Sequence, residues 1–255
     1  LRSNPISFEY PHRRHWRFIE ELHDPAQFFE GVFDQTTQGQ GMALRHGDVY
    51  HVVDAQAELQ VSFLIENQTV FSFYPYSEAG GAWPVNVAKE HWGPSPHEAR
   101  VMGTCEGARV CLFDTLYFRN RVLYEQTGPH EFIVSGMCHA LSPGEGEPFA
   151  QWDDVNHDEI DFRAVVRDGR RFRFWDTAMS AYDTTLVLPE GVELPVTLYA
   201  PFSIEGVTYG PGDVIEGHAW LFGQVPPRED DEAAKQSEAE EQAAEEQTGG
   251  EDGPS

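Results

Sequence analysis

At 255 residues, 40% of them hydrophobic and 13% aromatic, the chain can bury a core without disulfide or metal staples. Its formal charge of −26, from 43 acids against 17 bases, disfavours general nucleic-acid binding, which draws affinity from Lys and Arg neutralising phosphates. Cys105, Cys111 and Cys138 form no Cys-x-x-Cys pair and no disulfide framework, and no apolar run reaches the roughly 20 residues of a membrane helix.

A reducing cytoplasm is the expected compartment. The N-terminus lacks a secretion-signal layout, but the chain starts at Leu1 rather than Met, so that absence carries little weight. The densest basic stretch comes first, Tyr10-Pro11-His12-Arg13-Arg14-His15-Trp16-Arg17-Phe18-Ile19. Two readings fit it: a surface that stacks on bases, and a surface helix that lays Trp16, Ile19 and His23 against the main body. The helix is the expectation, because such spacing is the commoner pattern. Asp24-Pro25-Ala26-Gln27 then reads as a helix start, with Asp at the N-cap, Pro at the first helical position and Gln where a capping box places its return bond. A helix to about Phe33 should bury Phe28, Phe29, Val32 and Phe33.

From Asp48 apolar residues recur near every second position, which predicts strands. Residues 49–53, 58–65 and 69–74 build a meander, the last two joined across Glu66-Asn67-Gln68. Residues 75–97 hold Gly80-Gly81, Trp83-Pro84 and Trp92-Gly93-Pro94 and read as a long ordered loop, a common seat of function. Strands follow at 108–113 and 132–137, with an irregular corner at 114–120. After Pro143-Gly144-Glu145-Gly146-Glu147-Pro148, residues 162–166 and 171–175 flank Asp168-Gly169 as a hairpin, and 194–199 forms another strand.

Residues 209–223 are the stretch around which the chain is organised. Gly210-Pro211-Gly212-Asp213 supplies a tight turn, and the apolar run that follows reads as the strand closing a barrel or sandwich. Gly217 within it marks a bulge, a corner or another backbone passing close by. Residues 128–141 repeat the order of turn, apolar run, glycine and second apolar run. The repeat leaves two readings open, a duplication of β modules split near 143–148 or merely two strands of the barrel-closing type.

The order of elements over 160–225 resembles the oligonucleotide/oligosaccharide-binding (OB) barrel. Phe113-Asp114-Thr115 with Tyr117 and Tyr124, together with Gly217 and Trp220-Leu221-Phe222-Gly223, also resemble an uncharacterised bacterial protein family over about residues 100–225. That family has no established activity, so the resemblance implies no catalytic residue. The expected fold is mainly β, with one or two small antiparallel, OB-like β-barrel modules. Its expected parts are an N-terminal helical segment (1–47), a first β module (48–143), a second, OB-like module (144–225) and a disordered acidic tail (226–255). From Arg228 onward there are eleven acids, two bases and no aromatic residue, a composition that cannot fill a core.

The richest polar cluster is Asp153-Asp154-Val155-Asn156-His157-Asp158-Glu159-Ile160-Asp161. Asp154, His157, Asp158 and Asp161 are its candidates for a divalent cation or for acid–base work. It lacks the glycine and distal glutamate of a calcium loop, and a solvated acidic connector is the plainer reading. Cys105, Cys111, Cys138, His139 and His218 would make a zinc site only if the two halves packed face to face. Cys138 and His139 are neighbours that point apart in a strand, so buried inert thiols are expected. His218, beside Trp220, has the chemistry of an acid or base, with a hydrogen-bonded rim histidine as the plainer alternative. The sequence holds no nucleophile elbow, Walker loop, dinucleotide fingerprint or paired zinc-histidine motif.

The favoured reading is a non-enzymatic cytoplasmic binding or interaction module with no cofactor, no assigned catalytic residue and no membrane contact. Its contact surface would be Trp83, Trp92, Trp220 and His218, its partner an unidentified protein, with a basic one matching the acidic surface, and its oligomeric state is open. One alternative is an enzyme dependent on a metal or a histidine–carboxylate pair, drawing on His157, Asp158 and His218. The other is single-stranded nucleic-acid binding by an OB-like barrel. Convergence of His218 with carboxylates from another strand favours the enzyme, and an exposed aromatic patch on 75–97 favours the interaction module.

Overall fold

Alternating apolar residues become strands in two sheets, and the protein is mainly β. The structure is a computed structural model that describes residues 7–8, 12–16, 24–38, 41–46, 49–54, 58–67, 69–93, 95–152, 158–175, 177–201 and 208–226. The first sheet holds β1 (Ser7–Phe8), β2 (Gly41–His46), β3 (Val49–Asp54), β4 (Gln60–Glu66) and β5 (Thr69–Tyr76) in the order 1-5-4-3-2. Strands β2 to β5 form an antiparallel meander, and β1 runs parallel to β5.

Helix α1 (Pro25–Gln38) covers one face of that sheet. Asp24 caps it: Oδ1 accepts from the Gln27 N–H at 3.2 Å and the carbonyl from the Phe28 N–H at 2.9 Å. Phe29 packs on Phe73 with ring centroids 4.2 Å apart, and Phe33 meets Phe63 at 5.2 Å. The other face carries buried His51, Ser62, Tyr74 and Tyr76, and it meets the second sheet, where Tyr74 Oη donates to the Thr115 carbonyl at 2.8 Å. Near the start of the chain a short 3₁₀ turn, Arg13–Trp16, sends His12 to the barrel side, edge-on to Phe113, and Trp16 to the helix side against Phe29.

Five strands of the second sheet close into a barrel: β6 (Gly81–Trp92), β7 (Ala99–Cys105), β8 (Ala108–Asp114), β9 (His130–Pro143) and β15 (Val214–Gln224). Around the ring the order is 6-7-8-15-9, with β15 parallel to β8 and antiparallel to β9. Val101, Leu112, Val134 and Leu221 are fully buried along these strands. The connection from β8 to β9 contains the helical turn α2 (Tyr117–Asn120). Between β9 and β15 the described residues make five further strands, β10 (Phe149–Trp152), β11 (Glu159–Val165), β12 (Asp168–Phe174), β13 (Thr177–Val187) and β14 (Glu193–Pro201). Strands β10 and β11 extend the sheet beyond β15, and β14, β13 and β12 extend it beyond β9.

Several expectations change. Residues 75–97 are not a long loop: Gly81–Trp92 is a barrel strand whose Gly81, Trp83 and Val85 are buried between exposed Ala82, Pro84 and Asn86, a period of two hidden by its Pro, Gly and Trp content. Asp168 and Gly169 do not turn a hairpin. They lie within β12 opposite Asp183 and Tyr182, and Gly169 is small because the Tyr209 carbonyl passes where a Cβ would sit, 2.6 Å away. Strands from 48–143 and 144–225 also interleave in one sheet, since β15 is bonded to β8, β9 and β11. The repeated stretches 128–141 and 209–223 are thus paired neighbours in one barrel wall. Arg13–Trp16 form a 3₁₀ turn, and the rest of the expected first helix beyond it and the acidic tail from residue 227 lie outside the described residues. Among the described residues no helix is long and apolar enough to cross a membrane.

Candidate metal centre

Strands β9 and β15 fall out of step at one place. Trp220 pairs with Met137 and Ala219 with Cys138, but His218 pairs with Ala140, which leaves His139 as the extra residue of a β-bulge. A bulge breaks the alternation of faces and re-aims a side chain. His139 therefore shares a face with His218, their ring centroids 6.0 Å apart, while Cys138 stays fully buried. On the far side of β15, Glu159 lies opposite Trp220 and Asp161 opposite His218. Residues two apart on a strand share a face, so both carboxylates join the histidines.

The third histidine arrives from the 3₁₀ turn. His15 lies on the indole of Trp220, and Trp220 donates Nε1–H to Asp158 Oδ2 at 2.9 Å, which fixes the ring beneath it. The turn is held at both ends. His12 Nε2 meets buried Glu98 Oε1 at 2.9 Å, and Trp16 Nε1 donates to the Phe73 carbonyl at 3.4 Å. Glu98 also accepts from Ser72.

His15 Nδ1 stands 3.4 Å from His139 Nε2 and 3.7 Å from Glu159 Oε1, and one ligand atom from each of the three residues lies within 4.8 Å of the other two. A nitrogen pair at that distance is long for a hydrogen bond. It matches ligands on one ion, because two donors at 2.0–2.1 Å under a tetrahedral angle sit about 3.4 Å apart. His15 and Glu159 are buried and His139 is half-buried. The remaining groups orient this set. His218 Nε2 lies 3.2 Å from Glu159 Oε2 and its Nδ1 lies 2.8 Å from Asp161 Oδ1. The bond to Glu159, joined by that to Asp161, outweighs partial burial and pushes the imidazole up to about 9, so at neutral pH it is a cation that donates from both nitrogens.

The sequence candidates land in different places. His218 meets carboxylates of another strand, and Asp161, its side chain 65% exposed, is one of them. Asp158 is buried beneath Trp220, its Oδ1 lying 3.7 Å from Arg100 Nη1. Trp220 is buried inside the centre rather than on a surface. Trp83 is also buried and donates to the Pro195 carbonyl at 2.6 Å. Asp154, His157 and the side chain of Trp92 lie outside the described residues. The cysteines are buried and none is in a disulfide; burial pushes the Cys105 thiol up to about 11 and the Cys111 thiol up to about 12, which keeps both protonated.

Sequence reasoning missed the set His15, His139 and Glu159. Two signals pointed to it: His139 and His218 sit after the glycine in the two repeated stretches, and Glu159 and Asp161 are spaced for one strand face. No family model and no curated protein matches the chain.

Proposed function

We propose that the chain is an enzyme built on one divalent transition-metal ion held by His15 Nδ1, His139 Nε2 and Glu159 Oε1. One observation carries this reading: three ligand atoms converge from a turn and two strands into a largely buried site at the spacing of a single coordination sphere. Two imidazoles and a carboxylate leave positions for water or substrate, as catalytic zinc and non-haem iron sites do. Nitrogen donors favour zinc(II) or iron(II) over magnesium or calcium, which take oxygen ligands. Water on such an ion is acidified toward neutral pH and becomes a nucleophile. His218 anchors the outer oxygen of Glu159 and Trp220 sets the plane of the His15 ring, so the ligands are oriented before the ion arrives.

The interaction module favoured on sequence relied on exposed aromatics, and the burial of Trp83 and Trp220 speaks against two of its contact residues. Buried cysteines outside any disulfide support a reducing, cytoplasmic location. The barrel order, with its third and fifth strands parallel, supports an OB-like barrel over residues 81–143 and 214–224, not over the 144–225 module expected from the sequence.

Elemental analysis of protein purified without chelator should find about one zinc or iron per chain. His139→Ala and Glu159→Gln should each weaken retention by at least about tenfold. A native chain with no measurable affinity for zinc, iron or manganese ends this reading.

A further inference from the structure

A groove of about 570 Å³ opens on the sheet face that bears the centre, walled by β9, β10, β11 and β15. The ladder fixes its position. Ser142, Glu216, Arg163 and Phe149 lie abreast in one row, and Ala140, His218, Asp161 and Gln151 in the next. The third row contains Trp220 and Glu159. Rows on one face are two residues apart, about 6.6 Å, so the groove stops one row short of Glu159. Asp161 belongs to both places, lining the groove and bonding the imidazole that bonds Glu159.

The polar groups of the groove are already paired. Arg163 sets Nε and Nη2 on Glu216 Oε2 at 2.9 and 2.7 Å, and Asp161 faces His218 at 2.8 Å. An incoming anion meets carboxylate oxygens, and an incoming amine finds Glu216 held by the Arg163 guanidinium and Asp161 bonded to the His218 ring. A neutral molecule rich in hydroxyls meets neither obstacle, because Asp161, Glu216, Gln151 and Ser142 offer both acceptors and donors to hydroxyl groups. Phe149 supplies the apolar complement. It is 39% exposed, one of three large hydrophobic side chains exposed among the described residues, and its ring is braced by the Arg163 guanidinium 5.3 Å from the centroid. An open aromatic ring beside fixed planar polar groups fits a ligand with a C–H face and a hydroxyl rim.

We propose that this groove binds a neutral carbohydrate and presents it to the centre. As a statement of substrate class this rests on the metal reading; as a binding site it does not. The test is saturation-transfer NMR of the full chain with glucose, glucosamine and glucuronate, rings of one size and three charges, alongside metal content. Glucose should bind saturably, with both charged sugars weaker by about tenfold. Phe149→Ala should weaken glucose binding by about tenfold with metal content unchanged, and Phe149→Tyr should retain it. Absence of saturable glucose binding, preference for a charged sugar, or a Phe149→Ala protein with native affinity overturns the proposal. The two readings fail separately: a chain that binds glucose but takes up no metal sinks the centre alone, and a metal-loaded chain indifferent to glucose sinks the groove alone.

Discussion

His15 lies flat on Trp220, the ring centroids 3.7 Å apart and the planes 9° from parallel. An ion on His15 Nδ1 is therefore held within a few ångströms of an indole, close enough for a transition metal to quench its emission. Titrating metal-free protein with cobalt(II) should remove a saturable part of the tryptophan fluorescence. That part should disappear in Trp220→Phe, although five other tryptophans remain. Saturable quenching that survives both Trp220→Phe and His15→Ala would put the ion elsewhere.

The three proposed ligands also tie the N-terminal turn to two strands of the second sheet, so metal binding should act as a clasp. A ligand that binds only the folded state stabilises it by about 2.7 kcal/mol at a hundredfold excess over Kd. For a chain of this length that corresponds to a rise of roughly 5–10 °C in Tm. Calorimetry with zinc and then with EDTA should show the shift, and Glu159→Gln should lose most of it. Tryptic cleavage after Arg13 and Arg14 should accelerate on chelation, because the turn then opens more often. Cleavage at one rate with and without metal would disprove the clasp.

The parts of the molecule legible in the sequence are those written in local pattern. Gly210-Pro211-Gly212-Asp213 is the turn into β15, where Gly212 adopts φ +91° and the Asp213 N–H donates to the Gly210 carbonyl at 3.1 Å. Asp24 caps α1 as its position dictates. Strand β6 escaped because Pro84 and the Gly80-Gly81 pair imitate loop chemistry, yet Pro84 faces outward and Gly81 is needed where the Pro195 carbonyl would meet a Cβ at 1.7 Å. The centre was legible only in fragments. Nothing local to His139 announces a bulge, and nothing local to His15 announces that its turn lies on Trp220. Both follow from register and packing between segments far apart in sequence, His139 with His218 and His15 with Trp220, beyond the reach of periodicity.

Gly217 tests the bulge directly. A Cβ at this position would meet the Ala140 carbonyl oxygen at 2.1 Å, and the obstacle is backbone that cannot rotate away. Ala140 follows His139, so the strain falls on the bulge that aims the ligand. Gly217→Ala is expected to destabilise the fold by about 2 kcal/mol and to weaken metal retention. Gly31→Ala is the counterpart, a helical glycine with nothing within 4 Å of the added methyl, and it should stabilise by up to about 1 kcal/mol. Urea denaturation should show midpoints moving in opposite directions. A common direction would mean that glycine content, not the closeness of β9 to β15, governs both.

His51 and Asp114 give stability a pH dependence of opposing signs. His51 is buried with neither ring nitrogen hydrogen-bonded, and burial, reinforced by Arg119, lowers it from 6.5 to about 3. Its contribution is present above pH 6.5, where the unfolded chain is also neutral there, and is lost as pH falls toward 3. Asp114 is buried too, and burial outweighs the bonds it accepts from Tyr124, the Leu116 N–H and Asn120, raising it from 3.8 to about 6. Its contribution is present below pH 3.8 and is lost as pH rises through 6. Within pH 4–6 the unfolded chain gains one proton at His51 and lacks one at Asp114 relative to the native state, so the two slopes cancel. Removing one group uncovers the other, at about 1.4 kcal/mol per pH unit. Between pH 6 and pH 4, Asp114→Asn should therefore lose stability relative to the parent as acid is added, and His51→Leu should gain it. Urea midpoints at pH 4, 5 and 6 read the divergence directly, and three parallel curves would mean that neither side chain titrates as its burial requires.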